Sequence, residues 1–164
     1  MELKKESMQI LKEKSRAKSQ ITFDEDFNVP DAKPDAGRLI QNKGRIIMDD
    51  VRLTDGKGIL TGNLQVDILY VGEESGIISS LTAKLPFEET LNLKDIVNGD
   101  KMCLKWEIED LSVHMIHSRK LNIKAIVTFY AVVDEMAGVQ LPVEISDEGI
   151  SVKRKKVRLM RLMV

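Results

Sequence analysis

His114 and His117 form an H-x-x-H pair, Cys103 is the one thiol of the chain, and carboxylates cluster at Asp24-Glu25-Asp26, Asp49-Asp50 and Asp134-Glu135. These residue types could bind a metal, attack an electrophile or share general acid and base roles. H-x-x-H puts both rings on one face of a helix but on opposite faces of a strand, because side chains alternate along a strand. No third group with zinc-ligand character lies nearby in sequence. Cys103 is out of phase with apolar Met102, Leu104 and Trp106, so it faces the other way with Lys101, Lys105 and Glu107. Those lysines could favour the thiolate, but no histidine-containing dyad supplies a base. Glycosidase carboxylates face each other across a cleft where aromatic rings stack on sugar. With one Trp and two Tyr there is little to stack on, and the acidic pairs read as solvated strand ends. Gly56-Lys57-Gly58 lacks the spacing of a phosphate-binding loop. The sequence thus points to no catalytic residue, metal site or cofactor.

One further charged group stands out. Lys153, Arg154, Lys155, Lys156, Val157, Arg158, Leu159, Met160 and Arg161 contain no acid. An anionic partner such as nucleic acid or a lipid surface is one reading, although interleaved aromatics for stacking on single strands are missing. The favoured reading is an amphipathic interaction strand, with Lys153, Arg154, Arg158 and Arg161 outward and Val157, Leu159 and Leu162 packed, the charges blunting an edge. The same segment echoes the N-terminus. Its basic pair, two spacer residues and apolar run repeat the shape of Lys4-Lys5 followed by Met8-Gln9-Ile10-Leu11-Lys12.

The elements that position these groups are written in period two. Leu60, Leu64, Val66, Ile68 and Tyr70 share a face, as do Leu121, Ile123, Ala125, Val127, Phe129, Ala131 and Val133, which marks two long half-buried strands. Between Met102 and Met115 the phase slips, so a β-bulge or strand break is expected at Glu109-Asp110. Turn residues at Asp55-Gly56-Lys57-Gly58, Glu73-Glu74-Ser75-Gly76, Asn98-Gly99-Asp100 and His117-Ser118-Arg119-Lys120 separate the runs. Serial hairpins predict an all-β, antiparallel, two-layer sandwich or partly open barrel. A short helical turn or a loop is expected at Asp35–Gln41 and one turn at Leu91–Val97, and Glu2–Lys18 is the one candidate for a longer helix, with a poor apolar stripe.

Residues 29–35, Val-Pro-Asp-Ala-Lys-Pro-Asp, form a rigid corner. Pro30 and Pro34 fix φ and push Val29 and Lys33 into extended conformations. Asp31 and Asp35 follow the prolines, where a carboxylate can accept backbone N–H groups and tighten a turn.

At 164 residues and 43% hydrophobic content, the chain fits about one domain with a core of aliphatics and methionine. Basic and acidic residues number 25 and 26, so no global field draws it to nucleic acid. No run of 18 apolar residues predicts a membrane span. One cysteine and a charged, signal-free N-terminus fit the cytoplasm. The domain is expected at residues 1–150, with 151–164 as a basic, apolar C-terminal strand that opens a second repeat or serves as an exchange arm.

With these features the chain resembles the SPOCS domain, a spore-coat-associated repeat. The matching pieces are Ser19-Gln20-Ile21 leading into the corner, residues 62–70 (Gly-Asn-Leu-Gln-Val-Asp-Ile-Leu-Tyr), Leu85-Pro86-Phe87, and residues 118–125 opening with Ser118-Arg119-Lys120. The resemblance covers about residues 3–135 and corresponds to a first repeat. It implies morphogenesis rather than catalysis: a structural protein that binds basement-layer proteins of the spore coat, made in the mother-cell cytoplasm and placed on the coat or spore surface. Homo-oligomers or filaments through strand exchange fit that implication. The rival of a different class is a binding module for wall glycan or another anionic polymer.

Overall fold

The computed structural model describes residues 2–97, 99–146, 149, 151, 153 and 155. Six strands run in order: β1 (Glu2–Asn28), β2 (Ala36–Thr54), β3 (Lys57–Gly72), β4 (Ile78–Asn92), β5 (Lys101–His117) and β6 (Lys120–Ser146). They form two antiparallel three-stranded sheets, β1-β6-β5 and β2-β3-β4. The all-β prediction holds, but the expected helices do not form among the described residues. Glu2–Lys18 lies within β1, Asp35–Gln41 leads into and forms the start of β2, and Leu91–Val97 is a strand end and a turn at Lys94-Asp95. The weak 3.6-residue stripe of the N-terminal segment had no core to face, whereas pairing with β6 satisfies its backbone.

The chain divides into two compact units. One is Glu13–Glu135; the other gathers the chain ends, up to Lys12 and from Met136 onward. Within the smaller unit Lys4 meets Glu144 at 4.0 Å, and Leu3, Met8, Ile10, Leu11, Met136 and Leu141 are exposed.

The larger unit holds the core. Leu60, Leu64, Val66, Ile68 and Tyr70 of β3 and Leu121, Ile123, Ala125, Val127, Phe129, Ala131 and Val133 of β6 are all fully buried or nearly so. These are the central strands of their sheets, so both flanks and one face of each are covered. Phe87 of β4 packs edge-on to Phe23 of β1 at 6.2 Å and tilts against Phe129 of β6 at 5.3 Å, which joins the two layers on the β1–β4 side. On the other side β2 and β5 meet by side chains. A Cβ built on Gly44 would lie 2.9 Å from Leu111 and 3.2 Å from Ile108.

The predicted phase slip is a register shift between Ile108 and Asp110. The hairpin turns fall where the sequence places them: β2 meets β3 at Asp55-Gly56, β3 meets β4 across 73–77, and β5 meets β6 at Ser118-Arg119. Gly56 has φ 76° and Gly76 φ 62°, conformations that cost glycine nothing.

Candidate functional site: the proline corner and its clamp

β1 ends at Asn28 and β2 begins at Ala36, so the chain must reverse within residues 29–35. Lys33 donates its N–H to the Pro30 carbonyl at 2.9 Å and closes the turn. Both legs are then pinned to the β5–β6 turn: Val29 N–H reaches the Arg119 carbonyl at 2.9 Å, and Ala36 N–H the Ser118 carbonyl at 2.7 Å. Val29 and Ala36 are buried, which ties the corner to the core.

Arg119 fills the inside of the corner. Its Nη1 donates to the Lys33 carbonyl at 3.0 Å and to Asp35 Oδ1 at 2.9 Å. Its Nη2 donates to the Val29 carbonyl and to Asp31 Oδ1, both at 3.0 Å. A planar guanidinium can serve four acceptors at once, which an ammonium cannot do in this geometry. Hydrogen bonding to Asp35, with the charges of Asp35 and Asp31 close by, raises the Arg119 pKa above its ordinary value. Ser118 Oγ adds a long bond to Asp35 Oδ2 at 3.4 Å, and the Arg119 N–H donates to His117 Nδ1 at 3.2 Å.

The β3–β4 turn closes the assembly from a third direction. The Tyr70 hydroxyl donates to the Pro34 carbonyl at 2.8 Å, and Glu73 N–H donates to the Asp35 carbonyl at 2.8 Å. The Tyr70 ring is fully buried, and that burial pushes its phenol pKa up.

Pro30, Asp31, Pro34 and Asp35 therefore come together as one constellation. The two aspartates, however, meet a side chain where the sequence suggested backbone amides: their carboxylates face Arg119. The reason is electrostatic. A guanidinium between two carboxylates and two carbonyls satisfies more acceptors than the two or three amides of a short turn. Asp31 is fully exposed while the Asp35 side chain is about half-exposed (47%), so Asp35 is the stronger partner. Sequence reasoning placed Arg119 in a turn and missed its role. The available signal was two carboxylates held rigidly by prolines with no cation within the corner to answer them except Lys33.

The other candidates are placed apart. His114 and His117 are both exposed, His114 opposite Asn122 in the ladder and His117 opposite Lys120; the register shift between Met115 and His117 puts both rings on one face of β5, where plain alternation placed them on opposite faces. Cys103 is exposed, as its phase implied, opposite Val132. Trp106 departs from its phase partners: Met102, Leu104 and Ile108 pack against the core, whereas Trp106 remains 43% exposed. Asp24 and Asp26 accept from Asn122 and pair with Lys124 and Lys120 across the β1–β6 ladder. Those bonds hold both carboxyls below the usual range, with the Asn122 bond the largest cause for Asp24 and the Lys120 bond for Asp26. Asp49 accepts from Asn63 at 2.7 Å and Asp50 pairs with Arg52 at 2.9 Å. Of the proposed interaction strand, Lys153 is exposed; Arg154, Val157, Arg158, Leu159, Arg161 and Leu162 lie outside the described residues. No helix of the described residues is long and apolar enough to cross a membrane.

A family model described as SipL, SPOCS domain, matches residues 35–116, half of the chain. Comparison with curated proteins and with solved structures finds no match. The matched span opens at Asp35 inside the corner and stops at Ile116, two residues before the turn that clamps it. The corner and its clamp thus bracket the matched span at both ends, and the chain belongs to the SPOCS domain family.

Proposed function

We propose that this chain is a non-catalytic structural and protein-interaction module of spore coat or spore envelope assembly. The observation that carries the reading is the family match over residues 35–116, which supports a role in sporulation. The geometry supports it from another side. The best-built polar constellation of the chain directs a guanidinium, two carboxylates and a buried phenol at backbone and at one another, which is the chemistry of a scaffold. The carboxylate pairs on the strands likewise answer lysines, arginine and asparagine.

In this reading the chain acts from the mother-cell cytoplasm and comes to lie in the coat or on the spore surface, bound to basement-layer coat proteins. It also associates with itself through the terminal segment 151–164, whose Val157, Leu159 and Leu162 supply apolar contacts. A fluorescent fusion should form a shell around the developing spore, and site-specific cross-linking from exposed positions should capture a coat protein there. A fusion that stays diffuse throughout sporulation would overturn the proposal.

A further inference from the structure

The turn between β5 and β6 is only two residues long, Ser118-Arg119. Two-residue hairpin loops favour turns with φ > 0, because the backbone twist of such turns matches that of the flanking strands. Among the described residues Asp95 is the one non-glycine residue with positive φ, so Ser118 and Arg119 both keep negative φ. The register shift between Met115 and His117 lies directly beside them. A turn of this kind needs support from outside its own backbone.

His117 gives that support. Its Nδ1 accepts the Arg119 N–H at 3.2 Å. The ring stands in for the side-chain oxygen of an Asx turn, which likewise accepts from the backbone two residues on. This bond fixes the backbone of the residue on which the clamp depends. The Arg119 carbonyl holds Val29, and the Arg119 guanidinium serves Val29, Asp31, Lys33 and Asp35. An imidazole accepts at Nδ1 only while that nitrogen is unprotonated, and in the imidazolium both nitrogens are donors. Protonation therefore removes the bond and sets a cation against a backbone N–H.

The charged groups around His117 do not replace it. Lys120 of β6 stands opposite His117 in the ladder, and His114 of β5 shares its face. Asp26 of β1 is taken up by Lys120 at 2.8 Å and by Asn122 at 3.0 Å. Asp31 and Asp35 of the corner face the Arg119 guanidinium. Each of these carboxylates already answers a cation, and none of them accepts the Arg119 N–H.

We infer that His117 is a proton-sensitive latch on the corner. Neutral, it holds the Arg119 backbone and keeps the clamp closed; protonated, it releases the turn and loosens the hold of Arg119 on residues 29–35. His117 is a positioning residue, since it acts through Arg119. The latch goes beyond the assembly reading and stands whether or not the chain binds coat proteins.

NMR on the full chain from about pH 5 to 8, the range in which histidine changes charge, tests it. The Arg119 amide resonance should follow the titration of the His117 ring and not that of His114. Across the same range, exchange of the Val29 amide, corrected for the pH dependence of free-peptide exchange, should quicken about threefold or more on acidification, the weight of one hydrogen bond. His117→Asn supplies an acceptor that does not titrate, so it should keep Val29 protected at both ends of the range. His117→Ala should leave Val29 exchanging at the faster rate at both ends. His114→Ala should leave the pH response as it is. An Arg119 amide blind to the His117 titration, a response that persists in His117→Asn, or one that vanishes in His114→Ala would each overturn the inference.

Discussion

Arg119 Nη1 and Asp35 Oδ1 stand 2.9 Å apart although 84 residues separate them in sequence. The bond joins the turn between β5 and β6 to the corner residue just before β2 and so ties one sheet to the other. Around it, Val29, Ala36, Tyr70 and Glu73 add bonds from three chain segments. A substitution at the centre of this network should be felt far beyond its own turn.

Arg119→Lys should lower the melting temperature by several degrees. The ammonium keeps the charge but cannot serve both carbonyls and both carboxylates. Thermal denaturation checks this; a lysine variant that melts with the wild type would mean that charge alone holds the corner.

The two aspartates should differ. Asp35→Ala removes the less exposed partner, so it should destabilise clearly, while Asp31→Ala at a fully exposed pair should barely move the transition. Equal effects in parallel melts would contradict the assigned geometry.

Tyr70→Phe deletes one hydroxyl from a fully buried ring and leaves the Pro34 carbonyl without its 2.8 Å donor. A loss of about 1–2 kcal/mol is expected from chemical denaturation. Gly62→Ala tests the core of the other ladder: a Cβ there would lie 2.4 Å from the Ile47 carbonyl oxygen and 3.0 Å from Phe87. The strain should cost about 1–3 kcal/mol.

Lys14 and Asp100 form a 2.8 Å pair, and Asp100 also accepts the Val97 N–H at 2.9 Å. The Lys14 bond holds the Asp100 carboxyl below 3.8, and the same bond holds Lys14 above 10.5. A lowered carboxyl contributes stability that is complete above its unfolded value and fades as pH falls through the lowered one. A raised amine contributes below its unfolded value and fades as pH rises through the raised one. The pair therefore supports the fold between the two and weakens at both extremes. Asp100→Asn should flatten both limbs of the stability–pH curve, and unchanged limbs would remove the pair from the account.

How much of this was legible depended on where the core lies. β3 and β6 could be read directly because one face of each is wholly buried, and a buried face forces alternation. The bulge at Glu109-Asp110 was legible for the same reason, since a slipped phase needs an extra residue. β1 was not, because its first half presents Leu3, Met8, Ile10 and Leu11 to solvent and so carries no alternation to detect. The corner was visible from its prolines, whose effect is local. The clamp was hidden because Arg119 acts across 84 residues, and nothing in a turn's local chemistry says which carboxylate it will meet.

The central claim is that corner and turn act as one clamp. A double-mutant cycle on Asp35→Ala and Arg119→Ala, read by equilibrium denaturation, tests it most directly. The account predicts strong coupling, with the double variant little less stable than Arg119→Ala alone. Effects that simply add would contradict it.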